Sequence, residues 1–255
     1  MQQKENILVI LAVIFLVGVI ATVVFLLGNS FVSDNVLFLS DLGEMVKESR
    51  EVAEFSKISL NGCGHIILSQ EDQESLKIEA KEKIIKNIKT EVRNNTLYID
   101  YEKSFLKQAC SFNTGDISYY LAVKDITEID INGSGNIRSQ ATITTDVLSI
   151  DIDGSGNVAV PLELTSLKVN IEGSGNFNLS GQADNQDIKI AGSGKYLAGD
   201  LISQTVKINI EGSGKVEVNA QQSLDVSIAG SGSVYYLGTP KINQTISGSG
   251  KIQGF

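Results

Sequence analysis

The stretch VNIEGSGNFNL, Val169 to Leu179, sets a Gly-Ser-Gly turn between two runs in which apolar and polar residues alternate. The turn occurs seven times, at Gly133/Gly135, Gly154/Gly156, Gly173/Gly175, Gly192/Gly194, Gly212/Gly214, Gly230/Gly232 and Gly248/Gly250. Successive turns lie 21, 19, 19, 20, 18 and 18 residues apart. A period near 20 that drifts by a residue or two marks stacked structural repeats with loops of variable length. A unique phosphate loop does not fit: no third glycine opens a helix, and seven copies contradict a single site.

The flanks of the turn give the local structure. Two positions before it stand Ile131, Ile152, Ile171, Ile190, Ile210, Ile228 and Ile246. Four positions before it stand Ile129, Ile150, Val169, Ile188, Ile208, Val226 and Gln244, and the row between is polar throughout. Alternation with β-branched residues is the signature of a half-buried strand. Each repeat therefore reads as strand, Gly-Ser-Gly, strand, loop. One repeat cannot bury its apolar face alone, so the rungs must stack. The predicted fold is all-β, a parallel β-solenoid (β-helix) with rungs of 18–21 residues spaced ~4.8 Å apart. The glycines at both ends of the turn serve as corner residues that tolerate positive φ and lack a Cβ where rungs crowd. The serine hydroxyls are expected to bond along the stack, and Asn136, Asn157 and Asn176 to form an amide ladder.

Upstream, FSKISLNGCGHIILSQ (Phe55 to Gln70) carries Gly62-Cys63-Gly64 in place of Gly-Ser-Gly and reads as a degenerate first rung. SLKIEA is a further strand, and KTEVRNNTLYIDY reads as two strands joined at Asn94-Asn95. At the other extreme, Ile7 to Leu27 is a run of 21 residues without a charge. It is long enough to span a bilayer of ~30 Å and longer than the ~7–15-residue apolar core of a cleaved signal. The expectation is one N-terminal transmembrane helix acting as a signal anchor. Residues 1–6 are then cytoplasmic, and the membrane lipid is a partner of residues 7–27. Residues 28–50 form a juxtamembrane linker, and residues 51–255 form the extracytoplasmic domain, with regular repeats over 126–255. The predicted localisation is the cell membrane, single-pass.

The chain has a net charge of −9, one His, two Cys and three Arg. An acidic surface repels phosphate backbones, which argues against nucleic acid. A polysaccharide-processing enzyme would need clustered carboxylates, a basic residue and usually a metal. No such constellation is visible, so no catalytic residue, cofactor or metal ligand is assigned. Asp151, Asp153 and Glu172 could hold an incidental ion, but the period and the missing second acidic row do not match calcium-binding repeats. Lys195, Lys215 and Lys251 follow the turn on later rungs where Asn stands on earlier ones. With Tyr235 nearby they form a candidate strip for a glycan or a surface protein. Cys63 and Cys110 are an even pair that outside the cytoplasm could be bridged or remain two thiols. His65 alternates with Ile66 and reads as an exposed strand residue.

From about Glu51 to Phe255 the sequence resembles the putative auto-transporter adhesin family known by its head GIN domain. The likeness rests on REVAEFSKISLNG, IKTEVRNNTLYIDY, the serial Gly-Ser-Gly turns and the ending GSGSVYYLGTPKINQTISGSGKI. It implies a β-helical, non-catalytic, adhesin-like domain on the cell surface and brings no catalytic residues. Cys63 in place of Ser, and an apolar anchor, depart from the family pattern. The expected role is surface binding. The alternative is a structural or envelope-stress-sensing module contacting other membrane proteins, and a polysaccharide-processing enzyme is more distant.

Overall fold

The computed structural model describes residues 42–102, 110 and 117–255. The apolar run 7–27 lies outside them, and among the described residues no helix is long and apolar enough to cross a membrane. Among the described residues sixteen strands form one sheet that winds into a β-solenoid.

The regular part comprises β7 (Glu128–Arg138), β8 (Ile143–Thr144), β9 (Val147–Gly154), β10 (Asn157–Gly173), β11 (Asn176–Gly192), β12 (Lys195–Gly212), β13 (Lys215–Gly230), β14 (Ser233–Leu237), β15 (Lys241–Gly248) and β16 (Lys251–Gly254). Neighbouring rungs pair in parallel, with Gly133, Gly154, Gly173, Gly192, Gly212, Gly230 and Gly248 in one column. The loop expected within each repeat is largely replaced by strand. β10 to β13 are extended for 16–18 residues, from one turn to the next. Parallel pairing satisfies most of the backbone on both edges of an inner rung, and at the second corner the ladder shifts register at bulges between β11, β12 and β13 and then resumes.

Packing explains why the turn needs two glycines, and it corrects the expectation that both take positive φ. Only the first glycine of each turn does so. Gly154, for example, has φ +136°, and a Cβ there would lie 2.1 Å from the carbonyl oxygen of Gly133. The second glycines, Gly135, Gly156, Gly175, Gly194, Gly214, Gly232 and Gly250, have no positive φ. They are required for space instead. A Cβ on Gly194, Gly214, Gly232 or Gly250 would lie 2.7, 2.9, 2.8 or 2.7 Å from Cγ2 of Ile171, Ile190, Ile210 or Ile228, the isoleucine of the preceding rung. On the earlier rungs the neighbour differs. A Cβ on Gly135 would meet Leu60 Cδ2 at 2.5 Å, and one on Gly156 would meet Gly135 O at the same distance. A Cβ on Gly175 would be least crowded, 3.2 Å from Cγ2 of its own rung's Ile171. On the later rungs, each isoleucine therefore seats under the second glycine of the next turn.

The recurrent link along the corner is also not the serine hydroxyl. The backbone N–H of Ser155 donates to Gly133 O at 2.9 Å, and Ser174, Ser193, Ser213, Ser231 and Ser249 repeat this on successive rungs. The amide ladder is present: Asn157 Nδ2 donates to Asn136 Oδ1 at 2.6 Å, and Asn176 Nδ2 to Asn157 Oδ1 at 2.9 Å.

The core is built from the predicted columns. Ile131, Ile152, Ile171, Ile190, Ile210 and Ile228 are buried, whereas Ile246 on the last rung is 39% exposed. A polar group enters this interior at Gln186, which donates to Ser203 Oγ at 2.6 Å and accepts from the Tyr196 hydroxyl at 2.5 Å. Burial raises the Tyr196 phenol far above its ordinary range. On the outer face Lys57, Glu128, Ser149, Lys168, Asp187, Lys207 and Asp225 stack as one register column of mostly alternating charge. Cross-strand neighbours of opposite charge favour this register over a slipped one.

The N-terminal end is built differently. It contains β1 (Met45–Arg50), β2 (Lys57–Gln70), β3 (Ser75–Lys81), a one-turn helix α1 (Glu82–Ile85), β4 (Ile88–Arg93), β5 (Thr96–Tyr101) and β6 (Ser118–Val123). β2 is the degenerate rung, with Gly62, Cys63 and Gly64 in register with Gly133, Ser134 and Gly135. Stacking order departs from chain order here. β5 and β6 together pair with the other edge of β2, so β2 lies between them and β7. β3 then pairs antiparallel with β6, β1 with β3, and β4 with β5. Asn94 and Asn95 have φ of 49° and 64°, the two positive values that a tight hairpin turn needs.

Met45–Arg50, expected to belong to a linker, is strand β1. Arg50 fastens it by donating to Ile88 O at 2.8 Å, Ile85 O at 3.1 Å and Thr90 Oγ1 at 3.1 Å. Cys63 and Cys110 are joined by a disulfide, with their Cα atoms 5.6 Å apart. Beside it the Tyr101 hydroxyl donates to Cys63 O at 2.8 Å and lies 2.5 Å from the Tyr119 hydroxyl. Burial pushes the Tyr101 phenol up to about 12 and that of Tyr119 well above its ordinary value.

Candidate binding surface

The arm that leaves each Gly-Ser-Gly turn presents one outward column directly after the second glycine. From the N-terminal end it reads His65, Asn136, Asn157, Asn176, Lys195, Lys215, Ser233 and Lys251. The side chains are outward because the strand period is two and their neighbours Val158, Phe177, Tyr196, Val216 and Val234 point into the core. His65 is half-buried and 3.4 Å from Asn136 Nδ2. Burial, then the nearby Arg138 charge, holds its imidazole below the usual value.

Three of the four strip residues converge. Lys215 Nζ lies 5.3 Å and Lys251 Nζ 5.4 Å from the centre of the Tyr235 ring, within cation–π range on both counts. Lys195 is one rung before Lys215 in the same column and does not join this ring contact. Two participants were missed by sequence reasoning. Phe255 stacks on Tyr235 with ring centres 5.5 Å apart, and Glu217 lies 2.6 Å from Lys215 Nζ. That hydrogen bond raises the Lys215 ammonium above its ordinary value. Writing the repeats in one frame reveals Glu217, since it pairs with Tyr235 on the next rung. Phe255 lies beyond the last turn and carries no such signal. Chemically, the cluster offers the Lys251 ammonium, a Lys215 ammonium already paired with Glu217, and the Tyr235–Phe255 aromatic pair to a ligand with anionic or hydroxyl-rich groups.

A second concavity, of about 660 Å³, was not anticipated. Its lining includes Asp125, Asp146, Glu163 and Asp184 with Thr144, Thr165 and Gln182. Asp125, Asp146, Thr165 and Asp184 each stand eight residues before a Gly-Ser-Gly turn, so the repeat frame contains the signal. Thr145 Oγ1 donates to Asp125 Oδ1 at 2.9 Å, and Ile126 N donates to the same atom at 2.8 Å. Among the described residues no basic side chain lines this groove.

Asp130, Asp151, Asp153 and Glu172 surround a smaller recess together with Asn170. Burial and then the Asp151 charge raise the Asp130 carboxyl above the usual range. Asn132 Nδ2 lies 3.4 Å from Asp130, and Asp151 accepts from Ser149 Oγ at 3.0 Å and from Asn170 Nδ2. Among the described residues no group of His, Cys, Asp and Glu is arranged to hold a metal ion.

The family described as putative auto-transporter adhesin, head GIN domain, matches residues 54–240. The chain belongs to this family. Among solved structures it is similar to a putative adhesin from Bacteroides fragilis, with 27% identity and a TM-score of 0.76 over 83% of this chain and 97% of that one. It is also similar to a putative lipid binding protein from Parabacteroides distasonis, with 25% identity and a TM-score of 0.67 over 84% of this chain and 97% of that one. A putative adhesin from the same species shares the fold at 20% identity and a TM-score of 0.67, over 84% and 98% of the two chains. No curated protein matches the chain. The head GIN domain is thus adhesin-like by family and by structural likeness.

Proposed function

We propose that this head GIN protein is a membrane-anchored, extracytoplasmic binding module that acts without catalysis. Residues 7–27 anchor it in the lipid, and the strip of Lys195, Lys215, Lys251 and Tyr235 contacts a glycan or surface protein. The observation that supports this reading most directly is the pair of ammonium groups that reach the Tyr235 ring from the rungs on either side of it. Long lysines are costly to immobilise. Placing two of them on one ring lowers that cost before a ligand arrives.

The test is binding of residues 45–255, a compact unit that retains β1, to a panel of envelope polysaccharides and matrix proteins. Replacement of Lys195, Lys215 and Lys251 by Ser should abolish saturable binding while leaving the circular dichroism unchanged. Binding that survives the triple replacement would move the contact surface elsewhere. Absence of binding across the panel would favour the sensing role.

A further inference from the structure

We propose that the C-terminal end of the solenoid pairs with the same end of a second copy of this chain. The two ends of the sheet differ in how they finish. At the N-terminal end antiparallel strands β1, β3 and β4 close over the stack, and Leu76, Ile78, Ile84 and Ile85 bury its interior. At the other end β15 is exposed at all eight positions and, among the described residues, pairs only with β13. Its inward-facing residues continue the core columns: Ile242 lies on Leu224, Gln244 on Val226 and Ile246 on Ile228. Ile242 and Ile246 remain 37% and 39% exposed. A strand with a free ladder edge and core isoleucines on its open side is a template for a further strand.

The occupant follows from the residues on that edge. A head-to-tail stack would have to use the outer edge of β1, which runs in the direction of β2. The inward row of β1, however, carries Glu48 and Arg50 in register with Ile78 and Leu76, and these charges oppose the seating of Ile242 and Ile246. Two copies meeting end to end by a two-fold axis bring β15 antiparallel to its own mate, an isologous contact that stops at two. Centred on Gln244, this pairing sets Ile242 opposite Ile246, Asn243 opposite Thr245 and Lys241 opposite Ser247. Apolar meets apolar, polar meets polar, and no like charges are opposed. Centring on Ile246 would set Ile242 beyond the end of the strand, and centring on Ile242 would do the same to Ile246.

The two-fold position also gives Gln244 a role. It is the single polar residue in a column otherwise filled by Ile and Val, and on the axis its carboxamide can both donate to and accept from the same group of the second copy. The segment from Ser233 to Phe255 has two lysines and no Asp or Glu, so the net acidic charge of the chain does not concentrate at this contact.

The experiment is sedimentation of the full chain in neutral detergent micelles across a dilution series. The native chain should show twice the monomer mass, and Ile246→Lys should return it to monomer mass with unchanged circular dichroism. Adding Ile242→Glu to Ile246→Lys should restore the doubled mass, because the carboxylate at 242 then faces the ammonium at 246 of the second copy. A native chain that is monomeric at every concentration overturns the proposal. A doubled mass that persists in Ile246→Lys overturns it too, by placing association elsewhere in the chain. Failure of the double variant to recover overturns the antiparallel register.

Discussion

The two ends of this solenoid solve the same problem in opposite ways. Both must finish a stack whose every rung exposes an apolar cross-section and a row of unpaired backbone groups. The N-terminal end uses antiparallel strands, a helical turn, the Arg50 clamp and the Cys63–Cys110 disulfide. At the C-terminal end of the described residues the last rung, β15 and β16, leaves Ile242 and Ile246 uncovered. Repetition thus fixes the interior of a solenoid but not its ends. The repeat must be interrupted wherever the chain is to cap itself, and that is where the irregular sequence lies.

The largest expected effect breaks the repeat at its centre. Gly154→Ala places a methyl 2.1 Å from the Gly133 carbonyl at φ +136°, with rungs packed on both sides. Backbone strain of about 1–3 kcal/mol plus the clash should destabilise by on the order of 4 kcal/mol. Gly248→Ala has a comparable φ of +123° and a methyl 2.4 Å from Gly230 O, but its rung can peel away. It should lower stability by about 1 kcal/mol, the scale of a locally frayed element. Urea unfolding of both variants checks this; equal losses would show that the last rung is held as firmly as the middle.

A somewhat smaller effect is expected at the capped end. Removing the disulfide with Cys63→Ala and Cys110→Ala releases a loop of 46 intervening residues. The loop-entropy account puts this at about 4 kcal/mol as an upper figure, with native adjustment reducing it. Reductant should lower the urea midpoint of the native chain to that of the double variant and leave the variant unmoved.

The same end should be alkali-labile. Tyr101 titrates at about 12 in the fold and near ~10 in the unfolded chain. The folded state therefore holds a proton that the unfolded state releases, so stability is full below pH ~10 and falls as pH rises toward 12. The slope is roughly 1.4 kcal/mol per pH unit for one such group. The buried Tyr119 phenol, also shifted upward, steepens the loss. Tyr101→Phe should flatten the alkaline limb of a stability–pH profile; an unchanged limb would assign the lability to the other buried phenols, Tyr119 and Tyr196.

The repeat made the regular half of the fold readable from sequence. One isoleucine column and one turn, stated seven times, determine strand type, register and the inward face together. Only a parallel stack satisfies all three. The expectation of a loop in each repeat failed because side-chain alternation weakens at the second corner while backbone pairing resumes across it after bulged shifts of register. The two glycines of the turn looked equivalent in sequence, yet Gly154 is needed for its φ and Gly250 for the room it leaves Ile228. β1 was illegible because MVKESR has an exposed edge pattern with no apolar alternation. Its place depends on Arg50 reaching carbonyls some 35 to 38 residues away. In the candidate strip, the lysine column was readable because the repeat aligns it. The Tyr235–Phe255 stack was not, because Phe255 follows the last turn.

The smallest predicted effect lies between the two ends, where the degenerate rung meets the regular ones. Asp130 shares its recess with Asp151 and Asp153, and its carboxyl titrates above the usual range because of burial and then the Asp151 charge. A raised folded value means that the fold binds this proton more tightly than the unfolded chain. The favourable contribution is therefore present at low pH and is lost as pH rises through the folded value, leaving a residual repulsion near neutrality. Asp130→Asn removes that repulsion at almost constant volume. The site is partly solvated, so screening limits the gain to a few tenths of a kcal/mol, up to about 1. The gain should appear at about pH 7 and vanish near pH ~3, where Asp130 is protonated in both states. A gain of the same size at both pH values would trace the effect to hydrogen bonding with Asn132 rather than to charge. A loss at neutral pH would mean that the acidic cluster is already neutralised by a bound cation, which titration with calcium or magnesium would then reveal.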